Sequence, residues 1–391
     1  DSLNLLNKLN VPLFKVPSGE ITNLPYLRYV ASLGKPVVMS TGMSEMYEGT
    51  YQLIGQECSM FTRKLEAQLC YQKIPYRWLI KSQTNTEEIE KRAGTRFIPA
   101  LKTPDGWMVT DTIALGPFLH DRFNEVPVVP TDPAQRGACF VLEDFFNHWY
   151  PRHALHSRWC YPDNVVKTGV RFGTNILLGK HIDVELTDEE FALVEDFGEE
   201  ILNSFGLAAC EVQGAGPEKK SAIQNDFGRL LNLLSEHLMQ NRFLLGDRAC
   251  LADFALAGPF KAHFLLDPEP RGWFGTNLSV MEDYVDRIWA GADITDEWQP
   301  NDGFPESLLP LFDYAQNHYQ VFARSSIEAA AKGEKFFDLD LGDGPFVARS
   351  MKRLEKARLH VADELKRSGS IDSPLSDTKV MDFYLEPPKL I

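Results

Sequence analysis

Phe97-Ile98-Pro99-Ala100-Leu101-Lys102-Thr103-Pro104-Asp105-Gly106-Trp107-Met108-Val109-Thr110-Asp111-Thr112 is the stretch on which the fold turns. Two short apolar runs, 97–101 and 107–109, flank Thr103-Pro104-Asp105-Gly106, and Pro-Asp-Gly is the chemistry of a tight β-hairpin turn. Thr110-Asp111-Thr112 then caps an apolar helix that reaches Phe123. Upstream, Tyr51 to Gly55 reads as a short strand, Phe61 to Tyr71 as an amphipathic helix and Tyr76 to Ile80 as a second strand.

The order β-α-β, then β-β, then α predicts an α/β thioredoxin-like domain over 50–128. After Pro127 and Pro130 the strand pattern stops. Thr131-Asp132-Pro133 is an N-cap with proline at the first helical position, and Ala138, Leu142, Phe145 and Trp149 follow at helical spacing. Thr187 to Glu190 forms a capping box ahead of Phe191, Val194, Ile201 and Phe205, and Phe227, Leu230, Leu234 and Leu238 make another stripe. An all-α domain is expected over 131–330, with a C-terminal helical extension over 331–391 that includes a charged helix from Phe346 to Lys366. The run Asp338-Leu339-Asp340-Leu341-Gly342-Asp343-Gly344 misses the ligand positions of an EF-hand and reads as a solvated turn. At the other end, Val11 to Val16, Leu27 to Leu33 and Val37 to Met39 give strand, helix, strand within residues 1–48.

Forty basic and fifty-five acidic residues leave the 391-residue chain at −15, a field that repels phosphate backbones, so no nucleic-acid partner is expected. Hydrophobic residues at 44% are spread without a membrane-length run, and no membrane partner is expected. The six cysteines form no C-x-x-C pair, which fits a reducing, cytoplasmic setting. No signal peptide is read at the start.

Phe14-Lys15-Val16-Pro17-Ser18-Gly19-Glu20-Ile21-Thr22-Asn23-Leu24-Pro25 and Gly34-Lys35-Pro36-Val37-Val38-Met39-Ser40-Thr41-Gly42-Met43 resemble the N-acetylneuraminate (sialic acid) synthase family. The resemblance covers 1–48 and implies a βαβ piece of a TIM barrel, in which Lys15, Ser18, Glu20 and Ser40 are the vestige of a site for phosphoenolpyruvate and sugar. The remaining strands and the family's metal-binding histidines have no counterpart, so synthase activity would need the rest of the barrel from another chain. Two signatures meet at Glu48-Gly49-Thr50 with no linker, the mark of a truncated fusion or an assembly chimera, and residues 1–48 are expected to lack a proper core.

From about 50 to 260 the chain resembles the soluble glutathione transferases. Gly55-Gln56-Glu57-Cys58-Ser59-Met60-Phe61-Thr62-Arg63-Lys64 is similar to the family's strand-to-helix turn, with Met60 where proline is common. The resemblance implies that Ser59 stabilises the glutathione thiolate, with Cys58 as the rival nucleophile and a plain helix cap as the alternative role of Ser59. It implies that Ile98, ahead of a cis Pro99, pairs with the cysteinyl backbone, and that Asp111 and Thr112 hold the γ-glutamyl end. Phe243-Leu244-Leu245-Gly246-Asp247-Arg248-Ala249-Cys250-Leu251-Ala252-Asp253-Phe254 looks like the family's buried capping segment, with Asp253 serving folding. In the dense run His148 to Cys160, the spacing fits no standard zinc set and Pro151 is expected to break the helix, so no metal is expected. Phe145, Trp149 and Arg152 are assigned to the acceptor pocket; for the aromatics of the run and for Arg152 or Arg158, packing at the interdomain face is the alternative.

The reading that follows is a glutathione transferase-like enzyme with glutathione as co-substrate, a small-molecule electrophile as acceptor and a homodimeric state. The alternative is a non-catalytic binding or scaffold protein on the same fold.

Overall fold

The computed structural model describes residues 11–16, 29–39, 49–293, 295–298 and 303–389. It divides into two compact units, Asp1–Gly49 and Thr50–Ile391. In the first, β1 (Phe14–Val16) and β2 (Val37–Met39) pair in parallel with Phe14 opposite Val37, and residues 29–32 are helical. Phe14, Val16 and Val30 form a small apolar cluster. The strand, helix, strand order read from the sequence is present, but one parallel pair does not define a barrel.

The second unit opens with a four-stranded mixed sheet. β3 (Tyr51–Gly55) is followed by α1 (Met60–Tyr71), β4 (Tyr76–Ile80), α2 (Thr86–Ala93), β5 (Ala100–Lys102), β6 (Met108–Thr110) and α3 (Thr112–Arg122). The strands lie in the order β4-β3-β5-β6, with β3 and β4 parallel and the other two pairs antiparallel. This is the thioredoxin-like arrangement expected from the hairpin. Apolar residues of β3, α1 and α3, among them Leu53, Leu65, Leu69 and Leu115, fill one face. α2 is absent from the sequence reading because it carries no apolar stripe and buries only Ile89. Its signals are Glu87 and Glu88 in the first turn, Lys91 and Arg92 in the last, and a left-handed Gly94 cap.

The helical part is built around α4 (Pro133–Trp159), which runs through Pro151 without ending. That corrects the expected break. Proline removes one backbone donor and crowds the preceding turn, a cost of about 3 kcal/mol, but α4 is buried along most of its length, so packing on several sides holds it helical. α5 (Pro162–Ile176), α6 (Leu207–Val212), α7 (Lys220–Leu238), α8 (Leu251–Pro259), α9 (Leu278–Ala290) and α10 (Gln320–Ala331) follow. On α7 the expected stripe of Phe227, Leu230, Leu234 and Leu238 is buried, whereas Phe191 and Phe205 after the Thr187 capping box lie exposed.

The C-terminal region departs from an all-α reading. β7 (Phe336–Asp340) and β8 (Pro345–Arg349) form an antiparallel hairpin, and α11 begins only at Lys352 and ends at Arg367. Phe346 and Ala348 are buried while Val347 between them is exposed, a period of two that belongs to a strand. In the turn, Asp340 Oδ1 accepts from the N–H of Gly342 at 2.8 Å, so the acidic run is half strand and half turn. The C-terminal segment is tied to α4 through Tyr384, whose hydroxyl donates to Asp144 Oδ2 at 2.9 Å. Among the described residues no helix is long and apolar enough to cross a membrane.

α1 crosses α8 so closely that a Cβ on Gly258 would sit 2.4 Å from the Met60 carbonyl oxygen. The start of α8 is fixed by Asp253, whose carboxylate accepts from Cys250 N–H at 2.8 Å, Leu244 N–H at 3.0 Å and the Tyr284 hydroxyl at 2.9 Å. Asp253→Ala strands two buried backbone donors at about 1–3 kcal/mol each, while the Tyr284 hydroxyl keeps the backbone carbonyl of residue 253 at 3.2 Å, and denaturant unfolding is expected to show a loss of about 2 kcal/mol or more. A loss below about 1 kcal/mol would contradict the capping role.

Burial holds His120, His153, His237 and His263 below the usual imidazole range, His237 down to about 4. These rings stay neutral in the folded chain while the unfolded chain takes up protons near pH 6.5, so their stabilisation is complete above that pH and is lost below it. His237 alone amounts to about 2 kcal/mol between pH 7 and pH 5. Burial raises Asp253 to about 6, which works in the opposite sense and offsets about 1 kcal/mol. The urea midpoint is expected to fall from pH 7 to pH 5; a flat or rising midpoint would show that these histidines are hydrated.

Candidate functional site

Strand register assembles the site. Ile54 lies opposite Ala100, and Ala100 lies opposite Thr110. Because β5 runs against β3 and β6 runs against β5, the exit of β3, the entry of β5 and the exit of β6 share one edge of the sheet. Ser59 follows the first, Ile98 and Pro99 precede the second, and Asp111 and Thr112 follow the third.

Ser59 is the N-cap of α1. Its Oγ accepts from Thr62 N–H at 3.3 Å, which leaves the hydroxyl hydrogen free to donate, and the residue is partly exposed. Cys58 differs in every respect. It is buried, its carbonyl accepts from Arg158 Nη1 at 2.7 Å, and burial pushes its thiol up to about 11. The Ile98-Pro99 peptide bond is cis. Asp111 caps α3 through Oδ1, accepting from Ile113 N–H at 3.0 Å, while Thr112 is buried at the first helical position. The backbone of Asp111 stands at φ 75, a region that a residue with a Cβ rarely enters. Such positions persist where surrounding structure imposes them and they cluster at binding sites.

The turn before Ser59 is braced by Glu57, which stands in the motif 55–64 with no role expected of it there, and by Asn175, Ile182 and His181, which belong to no motif. Glu57 Oε2 accepts from Ile182 N–H at 2.8 Å and from Asn175 Nδ2 at 3.2 Å, and Oε1 meets Arg63 at 3.3 Å and His181 Nδ1 at 3.3 Å. Asn175 Oδ1 in turn accepts from Glu57 N–H at 3.0 Å. Below the turn, Arg158 pairs with Asp267 at 2.7 Å and donates to the Ala262 carbonyl. Arg158 therefore packs between the two parts of the unit.

Phe145, Trp149 and Arg152 lie in the helical core at 0%, 1% and 5% exposure. Arg152 donates to the Gln213 carbonyl at 3.1 Å and lies over Phe346. These side chains serve packing and do not open onto the sheet edge that carries Ser59. The histidines of α4 diverge: His148 reaches Asp144, His153 reaches Asp226 and His156 reaches the Ala215 carbonyl. Of the synthase-like positions, Lys15 is exposed on β1, and Ser18, Glu20 and Ser40 lie outside the described residues.

Glu57→Ala removes the acceptor of Ile182 N–H and the partner of Asn175. Hydrogen exchange over residues 176–184 is expected to speed up by about 30-fold, equivalent to about 2 kcal/mol of lost protection. Unchanged exchange there would mean that the segment is held elsewhere.

Residues 1–66 match the NeuB family. The N,N'-diacetyllegionaminic acid synthase of Campylobacter jejuni is 54% identical over 48 residues, 12% of this chain and 14% of that protein. Human N-acetylneuraminate-9-phosphate synthase is 44% identical over 55 residues, 14% of this chain and 15% of that protein. The chain thus spans about a seventh of the length of these relatives. Among solved structures, a glutathione S-transferase from Rhodospirillum rubrum F11 has 17% identity, covering 60% of this chain and 86% of that one at a TM-score of 0.38. The beta-etherase LigF of Sphingobium sp. strain SYK-6 has 21% identity, covering 61% and 94% at a TM-score of 0.40. With scores of this size, the thioredoxin-like assignment rests on the strand order and register above.

Proposed function

We propose that residues 50–391 bind reduced glutathione at the shared sheet edge and transfer its sulfur to a small electrophile. The observation that carries this reading is the alignment of Ile54, Ala100 and Thr110 across three strands, which gathers Ser59, Ile98, Pro99, Asp111 and Thr112. The Ser59 hydroxyl donates to the thiolate at the positive end of α1 and so lowers the thiol pKa. The Ile98 backbone pairs with the cysteinyl residue. Asp111 accepts the γ-glutamyl ammonium while the α3 terminus and Thr112 hold its carboxylate. The thiol proton leaves to solvent, the sulfur lone pair forms the new carbon–sulfur bond, and the leaving group departs with its electron pair. Ser59 is favoured over Cys58, whose raised thiol is protonated at neutral pH. The enzyme works as a homodimer in the cytoplasm, a setting that fits its six free cysteines.

One observation favours a non-catalytic binding protein instead: Met60 is buried at the first position of α1, where the family that the turn resembles commonly has proline. Synthase chemistry in residues 1–49 is a remote third reading, supported by the sequence match alone and requiring barrel strands from another chain.

Calorimetric titration of reduced glutathione into the full chain is expected to give micromolar to low-millimolar binding. Ser59→Ala should raise the pKa of bound thiol by about one unit and slow conjugation by about tenfold or more, while Cys58→Ala leaves both near wild type. Absence of binding at low millimolar concentration would overturn the transferase reading in favour of the scaffold. Binding with the effect confined to Cys58→Ala would reassign the nucleophile.

A further inference from the structure

Cys160 and Cys210 stand fifty residues apart in sequence, yet their sulfurs lie 3.9 Å from each other. Cys160 is the C-cap of α4, and Cys210 lies within α6. Both belong to one apolar cluster with Trp159 and Val165. A disulfide brings the sulfurs to about 2 Å, so closure must shorten this 3.9 Å contact by about half.

The surroundings make the two thiols unequal. Cys160 lies 3.7 Å from the Ala215 carbonyl oxygen, which also receives the Nδ1 proton of His156 at 2.9 Å. A carbonyl only accepts, so it is the His156 ring that donates in this contact. The contact with Cys210 pulls the Cys160 thiol down, the neighbouring His156 ring acts in the same sense, and the same sulfur contact pushes Cys210 up. Burial and Glu218 oppose the fall at Cys160 without reversing it. Cys58, Cys70 and Cys250 contrast with Cys160. Burial pushes Cys58 and Cys70 to about 11 and Cys250 well above the usual range.

We propose that Cys160 and Cys210 form a peroxide-reactive dithiol that closes to an intramolecular disulfide. The Cys160 thiolate attacks one oxygen of hydrogen peroxide or another small hydroperoxide. The O–O bond breaks, and the leaving oxygen takes a proton and departs as water or an alcohol. Cys160 is left as a sulfenic acid. Cys210 sulfur then attacks the Cys160 sulfur, the S–OH bond breaks, and the hydroxide leaves as water with the Cys210 proton. Two thiols have lost two electrons and two protons, and one peroxide has gained both. Cys160 is only 6% exposed, which selects a small peroxide over the bulkier glutathione disulfide. The bond would join the two ends of the segment that carries Asn175 and Ile182 to Glu57, and so encloses the brace behind Ser59.

The test uses the full reduced chain exposed to stoichiometric hydrogen peroxide, quenched with catalase and alkylated under denaturing conditions for mass spectrometry. The expected product is a Cys160–Cys210 cross-link, reversed by dithiothreitol, with Cys58, Cys70, Cys139 and Cys250 still alkylated. Cys210→Ser should stop at a sulfenic acid on Cys160 that dimedone traps at least about tenfold faster than any other cysteine. Oxidation spread evenly over six cysteines, or no dimedone adduct at Cys160 in that variant, would overturn the proposal. Cross-linking by glutathione disulfide but not by peroxide would overturn the choice of oxidant. The wild-type experiment stands even if a variant fails to fold.

Discussion

A buried guanidinium joins the two halves of the 50–391 unit. Arg158 is 1% exposed, and a cation so far from water needs a counter-charge and acceptors for its N–H groups. Asp267 supplies the charge, the Cys58 and Ala262 carbonyls accept from the two Nη atoms, His263 Nε2 lies 3.2 Å from Nη1, and Arg171 meets the second oxygen of Asp267 at 3.0 Å. The arrangement constrains three elements at once: the end of α4, the turn that delivers Ser59 and the segment after α8. Removing any acceptor leaves a desolvated charge, so the turn cannot move independently of the helices. The rigidity suits a hydroxyl whose function depends on direction, since a hydrogen bond weakens steeply as its angle falls.

A second buried ion pair acts in the same sense. Lys64 on α1 reaches Glu143 on α4 at 2.6 Å and Asn147 at 3.1 Å, with both charged side chains nearly inaccessible. Replacing such a pair with apolar residues often leaves stability unchanged or improved. Its effect here is better described as register. α1 can meet α4 at only one height, and the close crossing of α1 over Gly258 fixes the other side. Between the two, the sheet edge is held against the helical part without relying on the apolar core alone.

The hairpin sequence 97–112 and the strand–helix–strand run before it made the sheet legible, because turn chemistry and apolar alternation are local. Helix α2 was not legible, since only Ile89 is buried and its remaining signals are charge order and a glycine cap. The continuation of α4 through Pro151 was hidden for the opposite reason: the local rule is correct, and burial on several sides outweighs it. At the site, Ser59, Ile98, Pro99, Asp111 and Thr112 could be named from motif order, but Glu57, Asn175 and Ile182 could not. Their contacts span more than a hundred residues of sequence, and nothing in the composition around position 175 announces them. The strained backbone of Asp111 was equally invisible, because an Asp before a helix reads as an ordinary cap whatever its φ.

The first unit obeys a different constraint. β1 and β2 are parallel, and parallel strands are stable in larger sheets with both faces covered. Within the described residues the unit offers Phe14, Val16 and Val30 as its buried cluster, with Val11 and Leu33 packed against it. β3 starts at Tyr51, immediately beyond the boundary at Gly49, so the change of fold occurs within a residue or two. Among the described residues of this unit, one parallel strand pair and one apolar cluster are present. Among the described residues of the whole chain, most buried apolar side chains lie in residues 50–391, where the four-stranded sheet, the helices around α4 and a few buried charges are mutually dependent.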